Sequence, residues 1–429
     1  SVQKKSKPYC DNCAANKLPQ HLGNAMSKHT LISFLGKSKL NQQTGYRKAN
    51  YDFGNGILKE VSFFGIGLTE VLKPHKLILI GTAGSMWDVF FDHHTPENEQ
   101  VLNLVDAVAE SRVDESLLTS CEEEIGRMLG CEVKCLIIDY AGNEAEQIHL
   151  LSQIAEQLEE GEEISMDVTH SFRHLPMLAL VAARFLNKIK NICANNIYYG
   201  ALEMIDKETG TTPVITLGGM LKMLDWVDAL ATYQQNGDFS PVAQLFAAEN
   251  EAEAAQNLKN AAFYENTNQI AKARKPLQDF RKQQINKPLI NLFMPILQNR
   301  TQWVEQPRYA DRQQYMAEHY LQQRDYLRAA ILAQEALISR LVQQQGNKDP
   351  QNYAFRKVEK ENLDQDIKDR NANKKKITPA QQAYIDLRDI RNALAHGARP
   401  HKADIQAAID SEDRLKQTFQ KILQEIKKL

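Results

Sequence analysis

Residues 162–187 read EEISMDVTHSFRHLPMLALVAARFLN. The run Glu162–Val168 is short, apolar in its interior and closed by small polar residues, which predicts a buried strand. Pro176 stands where a proline is tolerated, in the first turn of a helix, and Pro176–Asn187 continues with helical character. Strand, polar loop and helix in direct succession form half of a crossover unit. The same alternation extends outward. His29–Leu35 (HTLISFL), Lys76–Gly81, Glu132–Asp139 and Asn195–Ala201 read as further strands, with helices over Glu99–Ser111, Glu115–Leu129 and Glu144–Leu158. This pattern predicts an α/β domain built on a doubly wound, mostly parallel sheet. Tyr51–Glu60 and Val61–Leu68 are expected to add an antiparallel hairpin at one edge.

Beyond Leu217-Gly218-Gly219 no convincing strand remains, and Gln, Ala, Lys and Arg dominate. Helices are expected over Met223–Gln234, Pro241–Phe246, Glu251–Thr267, one long stretch Arg312–Gln345, Pro379–Leu394 and Ala403–Lys428. The second half is therefore predicted to be all-α. Pro350–Lys376, rich in Asn, Asp and Lys, reads as a mobile insertion. The expected division is 1–25 as a leader or loose extension, 26–222 as the α/β domain and 223–429 as the helical domain.

Composition excludes several classes. With 429 residues, 43% apolar and 25% charged, 20 Gly and 14 Pro, the chain is neither collagen-like, fibrous nor wholly disordered. The apolar stretch Leu175–Leu186 is broken by Arg184 and falls short of the roughly 20 residues a bilayer span needs. No basic and apolar secretory leader opens the chain, so a cytoplasmic protein is expected. Charge is uneven: 21 basic and 29 acidic residues through Asp225, then 31 and 25 after it. A basic helical half suits a nucleic-acid partner, and equally a solvated helical surface. The six cysteines are too sparse for a disulfide scaffold. Cys10 and Cys13 with His21 lack an evident fourth ligand, so no metal is expected.

Two groups of residues carry chemistry. Arg391-Asn392-Ala393-Leu394-Ala395-His396 ends a predicted helix, with Gly397 placed to cap it in the left-handed conformation. On a regular helix the fifth residue onward is turned by about 140°, so Arg391 and His396 are expected to share a cleft through fraying of the helix end at His396. Arginine stays cationic and stabilises charge on phosphate oxygens, and imidazole exchanges protons near neutral pH. Glu335 is a candidate to orient Arg391, and Asn392 a supporting residue. The second group lies in loops expected at the carboxyl ends of strands, where open α/β sheets bind ligands. These are Gly36, Lys37 and Ser38; Thr82, Gly84 and Ser85; and Thr169, His170, Ser171 and Arg173. Their hydroxyls, cations and glycines suit phosphate or ribose, and singly each loop reads equally well as a turn or helix cap. Of His170 and His174, one is expected to pack beneath the loop and the other to touch ligand. Trp87, Trp226, Tyr198 and Tyr199 are candidates for stacking on a base, with core or strand-end roles the better fit for each. The acidic run Glu159–Glu163 reads as a solvated helix end.

The R-N-x-L-A-H string at Arg391–His396 resembles the active-site motif of HEPN ribonucleases. Met166–Pro176 resembles the D-x-T-H-x-x-R-x-x-P signature of CRISPR-associated CARF–HEPN ancillary ribonucleases of type III systems. Ile32-Ser33-Phe34-Leu35-Gly36 strengthens that resemblance. It implies a Rossmann-like CARF sensor followed by a HEPN domain, in a homodimer or a higher oligomer. It implies cyclic oligoadenylate, with cyclic tetra-adenylate the favoured ring, as the activator held by the three loops. The implied reaction is metal-independent cleavage of single-stranded RNA in antiviral defence by Arg391 and His396, with no cofactor and no membrane. The competing reading is a ligand-sensing regulator whose helical half binds a partner or nucleic acid without catalysis.

Overall fold

The computed structural model describes residues 28–38, 40, 45–91, 99–346 and 348–429. The segment 1–25, with Cys10, Cys13 and His21, lies outside the described residues. The chain divides into two compact units, Ser1–Leu224 and Asp225–Leu429.

In the first unit the strands are β1 (His29–Phe34), β2 (Ala49–Asp52), β3 (Leu58–Val61), β4 (Lys76–Gly81), β5 (Glu132–Ile137), β6 (Glu163–Asp167), β7 (Cys193–Gly200) and β8 (Thr211–Thr216). The helices are α1 (Phe64–Leu72), α2 (Glu99–Ala109), α3 (Glu115–Leu129), α4 (Glu144–Glu156) and α5 (Leu175–Lys190). One eight-stranded sheet runs β3-β2-β8-β7-β6-β1-β4-β5. β1 is parallel to both β4 and β6, so the order of winding reverses at β1. Alternation along β1 and β4 sorts the core: Leu31, Leu77 and Leu79 pack with α1, α2 and α3, while Ile32, Phe34, Ile78 and Ile80 pack with α4 and α5. The expected doubly wound, mostly parallel sheet is the observed one.

The edges differ from expectation in detail. The hairpin is shorter than the sequence suggested, β2 against β3, and Phe64 onward is helical. Gly54, Asn55 and Gly56 all take positive φ and turn the chain early. Phe64, Leu68 and Leu72 then bury one helix face, a spacing that a short apolar run hides among neighbouring Phe, Ile and Gly. β8 was not expected at all, because Pro213 sits inside its β-branched run. It is antiparallel to β7 and parallel to β2. At the other edge the Glu122 carboxylate of α3 accepts the Cys135 N–H of β5 at 2.8 Å. Glu162 is buried rather than solvated, its carboxylate accepting from the Thr30 hydroxyl and the Glu159 N–H.

α6 (Gly218–Asn236) carries the unit boundary, and the second unit is all helical among the described residues. It contains α7 (Ser240–Ala248), α8 (Ala252–Asn266), α9 (Ile270–Lys282), α10 (Pro288–Arg300), α11 (Tyr309–Gln322), α12 (Tyr326–Gln344), α13 (Tyr353–Ala372), α14 (Pro379–His396), α15 (Ala403–Ile409) and α16 (Glu412–Lys427). Its core holds Phe246, Phe280, Trp303, Tyr320, Tyr384 and Phe419 together with a buried Arg300–Glu265 ion pair. α9 and α10 escaped the sequence reading because each carries an internal proline, Pro276 and Pro295. The expected long helix over 312–345 is two helices. Arg324 adopts φ 62° and the Asp325 side chain caps α12 by accepting from the Arg328 N–H. Ala403–Lys428 is likewise interrupted, at Asp410 and Ser411. Pro350–Lys376 holds a 20-residue helix, α13, instead of an irregular insertion. Asn352 caps it, and Arg356 ties it to Glu335, to the Ser339 hydroxyl and to the Pro350 carbonyl.

Candidate functional site

Three adjacent strands, β6, β1 and β4, end in the three loops singled out from sequence. Gly36 follows β1, and a Cβ there would lie 2.2 Å from the His170 carbonyl oxygen, so only glycine lets the first and third loops touch. The Gly36 carbonyl accepts the Met86 N–H (3.0 Å), and the buried Ser85 hydroxyl donates to the Leu35 carbonyl (2.9 Å). Those bonds join the first loop to the second. Thr82 is nearly buried, its N–H donating to the Ser85 hydroxyl. Lys37 is exposed and reaches over Gly84 to the Ser111 hydroxyl at 3.2 Å.

The third loop is held from beneath. Asp167 is fully buried and accepts from the Ser33 hydroxyl and from the Thr169 N–H (2.8 Å). The Thr169 hydroxyl accepts the Gly200 N–H at 2.8 Å, so β1, β6 and β7 meet at this carboxylate. Burial outweighs those hydrogen bonds and pushes the Asp167 carboxyl up to about 6. His170 turns inward: its Nε2 accepts the Phe64 N–H (3.3 Å) and its ring packs against Phe63. Burial pushes its pKa down to about 4, so it serves as a neutral acceptor. Ser171 donates to the Val168 carbonyl (2.7 Å), while Arg173 and His174 are exposed, His174 donating to the Tyr140 carbonyl. The outward-facing set is thus Lys37, Ser38 and Arg173, above a floor made by Gly36, Thr82, Gly84, Ser85, Thr169 and His170. Of the aromatic candidates, Trp87 and Trp226 are core residues.

In the second unit, α14 is delimited by its own sequence. Thr378 and Gln381 form a reciprocal capping box, Pro379 occupies the first turn, and Gly397 takes φ 62° at the far end. Tyr384, Leu387 and Ile390 anchor the helix in the core. Arg391 donates through Nη1 to Gln334 Oε1 of α12 (2.9 Å) and through Nε and Nη2 to Asn392 Oδ1. Glu335, the sequence candidate for orienting Arg391, holds Arg356 instead. The neutral Gln334 leaves the guanidinium charge uncompensated by a carboxylate at that contact. His396 is the last helical residue and is exposed. The helix stays regular through His396, so the frayed end expected to bring the pair together is not found, and within one chain the Cα–Cβ bonds of Arg391 and His396 leave the helix about 140° apart.

Residues 30–203 match the model of the family described as CRISPR system endoribonuclease Csx1, CARF domain. The first unit is a CARF domain. The chain is also 28% identical over 285 residues to the CRISPR-associated protein MJ1674 of Methanocaldococcus jannaschii, an alignment covering 61% of this chain and 44% of that protein. The chain thus spans less than half the length of the curated relative it matches.

The CARF match takes in all three loops, whereas the Arg391–His396 string lies beyond it. Sequence reasoning gave Ser33 no role of its own and missed Gly200 and Gln334. Their contacts join residues 31 to 134 positions apart, and no local spacing reports such pairs. Among the described residues no three His, Cys, Asp or Glu side chains gather to hold a metal, and no helix is long and apolar enough to cross a membrane.

Proposed function

We propose that this protein is a cyclic-oligoadenylate-activated endoribonuclease of type III CRISPR defence. The observation that carries the reading is α14. A complete R-N-x-L-A-H string ends at a glycine-capped helix terminus, with the guanidinium steered by a neutral amide and the imidazole exposed. It stands in a helical unit joined to a CARF domain, a class that binds cyclic oligoadenylates. Lys37, Ser38 and Arg173 meet the activator's phosphates, and cyclic tetra-adenylate is the favoured ring. Two CARF domains related by a dyad present the same loops twice to a ring with internal symmetry.

The 140° divergence of Arg391 and His396 favours a composite site in which two chains each contribute both residues. The 2′-hydroxyl of the substrate attacks the adjacent phosphorus while one His396 takes its proton. The bond from phosphorus to the 5′ oxygen breaks, and the other His396 protonates the leaving oxygen. The products are a 2′,3′-cyclic phosphate and a 5′-hydroxyl. Arg391 stabilises charge on the non-bridging oxygens, and Asn392 holds Arg391 in place. No metal takes part in this scheme.

The test is cleavage of a quenched fluorescent RNA in EDTA, with and without cyclic tetra- or hexa-adenylate, beside His396→Ala. Ring-dependent cleavage that the variant loses is the expected result, and a DNA of the same sequence stays intact. Silence with every ring from a folded protein overturns the reading in favour of a sensor whose output is binding.

A further inference from the structure

The helical unit holds a cleft of about 410 Å³, a size that accepts a small ligand. Its walls come from the end of α6 (Gln235 and Asn236), the α11–α12 turn with the first turn of α12 (Gln323, Arg324 and Arg328), and Leu394 of α14. Leu394 belongs to the R-N-x-L-A-H string and follows Arg391 by three residues, about 4.5 Å along the helix on nearly the same face. Arg391 touches Gln334 on α12, whereas Leu394 shares the cleft with Arg328, nearly two turns earlier on α12. The two helices therefore run antiparallel here, and the cleft prolongs the line from Arg391 toward the His396 end of α14.

The chemistry of the walls favours a neutral, planar, hydrogen-bonding ligand. Three amides supply donors and acceptors. Both arginines are compensated, Arg328 by Asp325 and Arg324 by Glu412, so a phosphate entering the cleft meets carboxylates as well as cations. The Arg328 guanidinium lies 4.3 Å from the Tyr320 ring centroid, fixed as a flat surface rather than a roaming charge. Gln323 Oε1 is shielded from solvent with no hydrogen-bond partner, and Nε2 makes only a long bond of 3.4 Å to the Gln234 carbonyl. Little holds that amide, and a base edge can turn it and satisfy it. Arg324 sits at φ 62°, a left-handed conformation that is costly for a residue with a side chain.

We propose that this cleft seats the nucleobase next to the cleaved phosphate of single-stranded RNA, so that its amides set base preference. The inference rests on the ribonuclease reading and adds a base-reading subsite to it. Amide side chains and stacked guanidinium planes are the groups that recognise splayed-out RNA bases.

The experiment uses the full chain with its activating ring and a set of short RNAs that differ only in the nucleotides flanking the cut. Two variants are compared with wild type. Gln323→Leu removes the amide without changing charge. Arg324→Gly removes the side chain and keeps the turn, since glycine takes φ 62° freely. The expected result is a preference in the wild type for one nucleotide at one flank, and in both variants a KM raised about tenfold for that RNA with the preference flattened. Circular dichroism and a thermal melt matching wild type report that each variant is folded, since the substitutions lie in the helical unit and activator affinity reads the other one; where one fails to fold, the other decides. Variants with wild-type KM and preference overturn this inference alone. A wild type that cuts no RNA overturns the ribonuclease reading together with it.

Discussion

Asp167 makes the first unit sensitive to pH in a direction that can be worked out. Its carboxyl titrates near 3.8 when solvated and about 6 in the folded protein, because burial disfavours the charge more than Ser33 and Thr169 support it. The folded state then holds the proton more tightly than the unfolded state between those values, and this residue's contribution to stability falls as pH rises through that window. Asp167→Asn keeps the acceptor for the Thr169 N–H and removes the charge. It should stabilise the protein at pH 7.5 by about 1–3 kcal/mol, an advantage that fades as pH drops from about 6 to about 4. Denaturant unfolding at several pH values reads this directly, and an asparagine variant weaker than wild type at every pH would refute it. At this scale the sequence was partly legible. Asp167 and His170 stand in a motif that drew attention to itself, and His170 is the histidine that packs beneath the loop, as expected of one of the pair; contact of His174 with ligand belongs to the proposal. That Asp167 joins three strands was invisible, since Ser33 lies 134 positions away.

At the scale of elements, α5 presents an apolar stripe on the unit's surface. Met177, Val181, Phe185 and Ile189, spaced four apart, are 72%, 59%, 44% and 50% exposed. The stripe belongs to the helix that begins at the third candidate loop, so a second copy docking there by the same face would place two sets of loops beside each other. Val181→Asp is expected to turn a dimer into a monomer in light scattering and to abolish ring-dependent cleavage. A variant that remains dimeric would place the interface elsewhere. Helices and strands were legible wherever periodicity was long and uninterrupted, as in α3, α5 and α14. They were misjudged where a single residue decides. Pro213 hid β8, Asn352 and Arg356 turned a polar stretch into α13, and Arg324 split one expected helix while the apolar pattern ran on past it.

For the whole molecule, the proposed reading puts sensing and cleavage in different units, and on that reading the two should separate by mutation. Arg391→Ala is expected to lower RNA cleavage by at least about 100-fold while leaving cyclic oligoadenylate affinity within about twofold by calorimetry. Loss of binding in that variant would sink the division. On the proposed reading activation is a population shift, in which the ring binds the cleavage-competent arrangement more tightly than the resting one. The α/β and all-α halves were readable from patterning alone. The assignment of chemistry to each was not. The helix end and its capping Gly397 were legible, whereas the steering amide of Gln334, 57 positions from Arg391, was not.

The Glu122 carboxylate on the Cys135 N–H has a bearing on how copies of this chain can meet. It occupies a backbone donor on the outer rim of β5, while the opposite rim is a four-residue strand carrying Lys59 and Glu60, with Lys59 paired to Glu70. A visiting strand finds no clean ladder to join at either rim. Contacts through rims repeat without limit and build ribbons, whereas contacts through a helical face close after two. Copies of this chain that meet through a helical face therefore pair and stop, and the sheet rims give them no route into fibres.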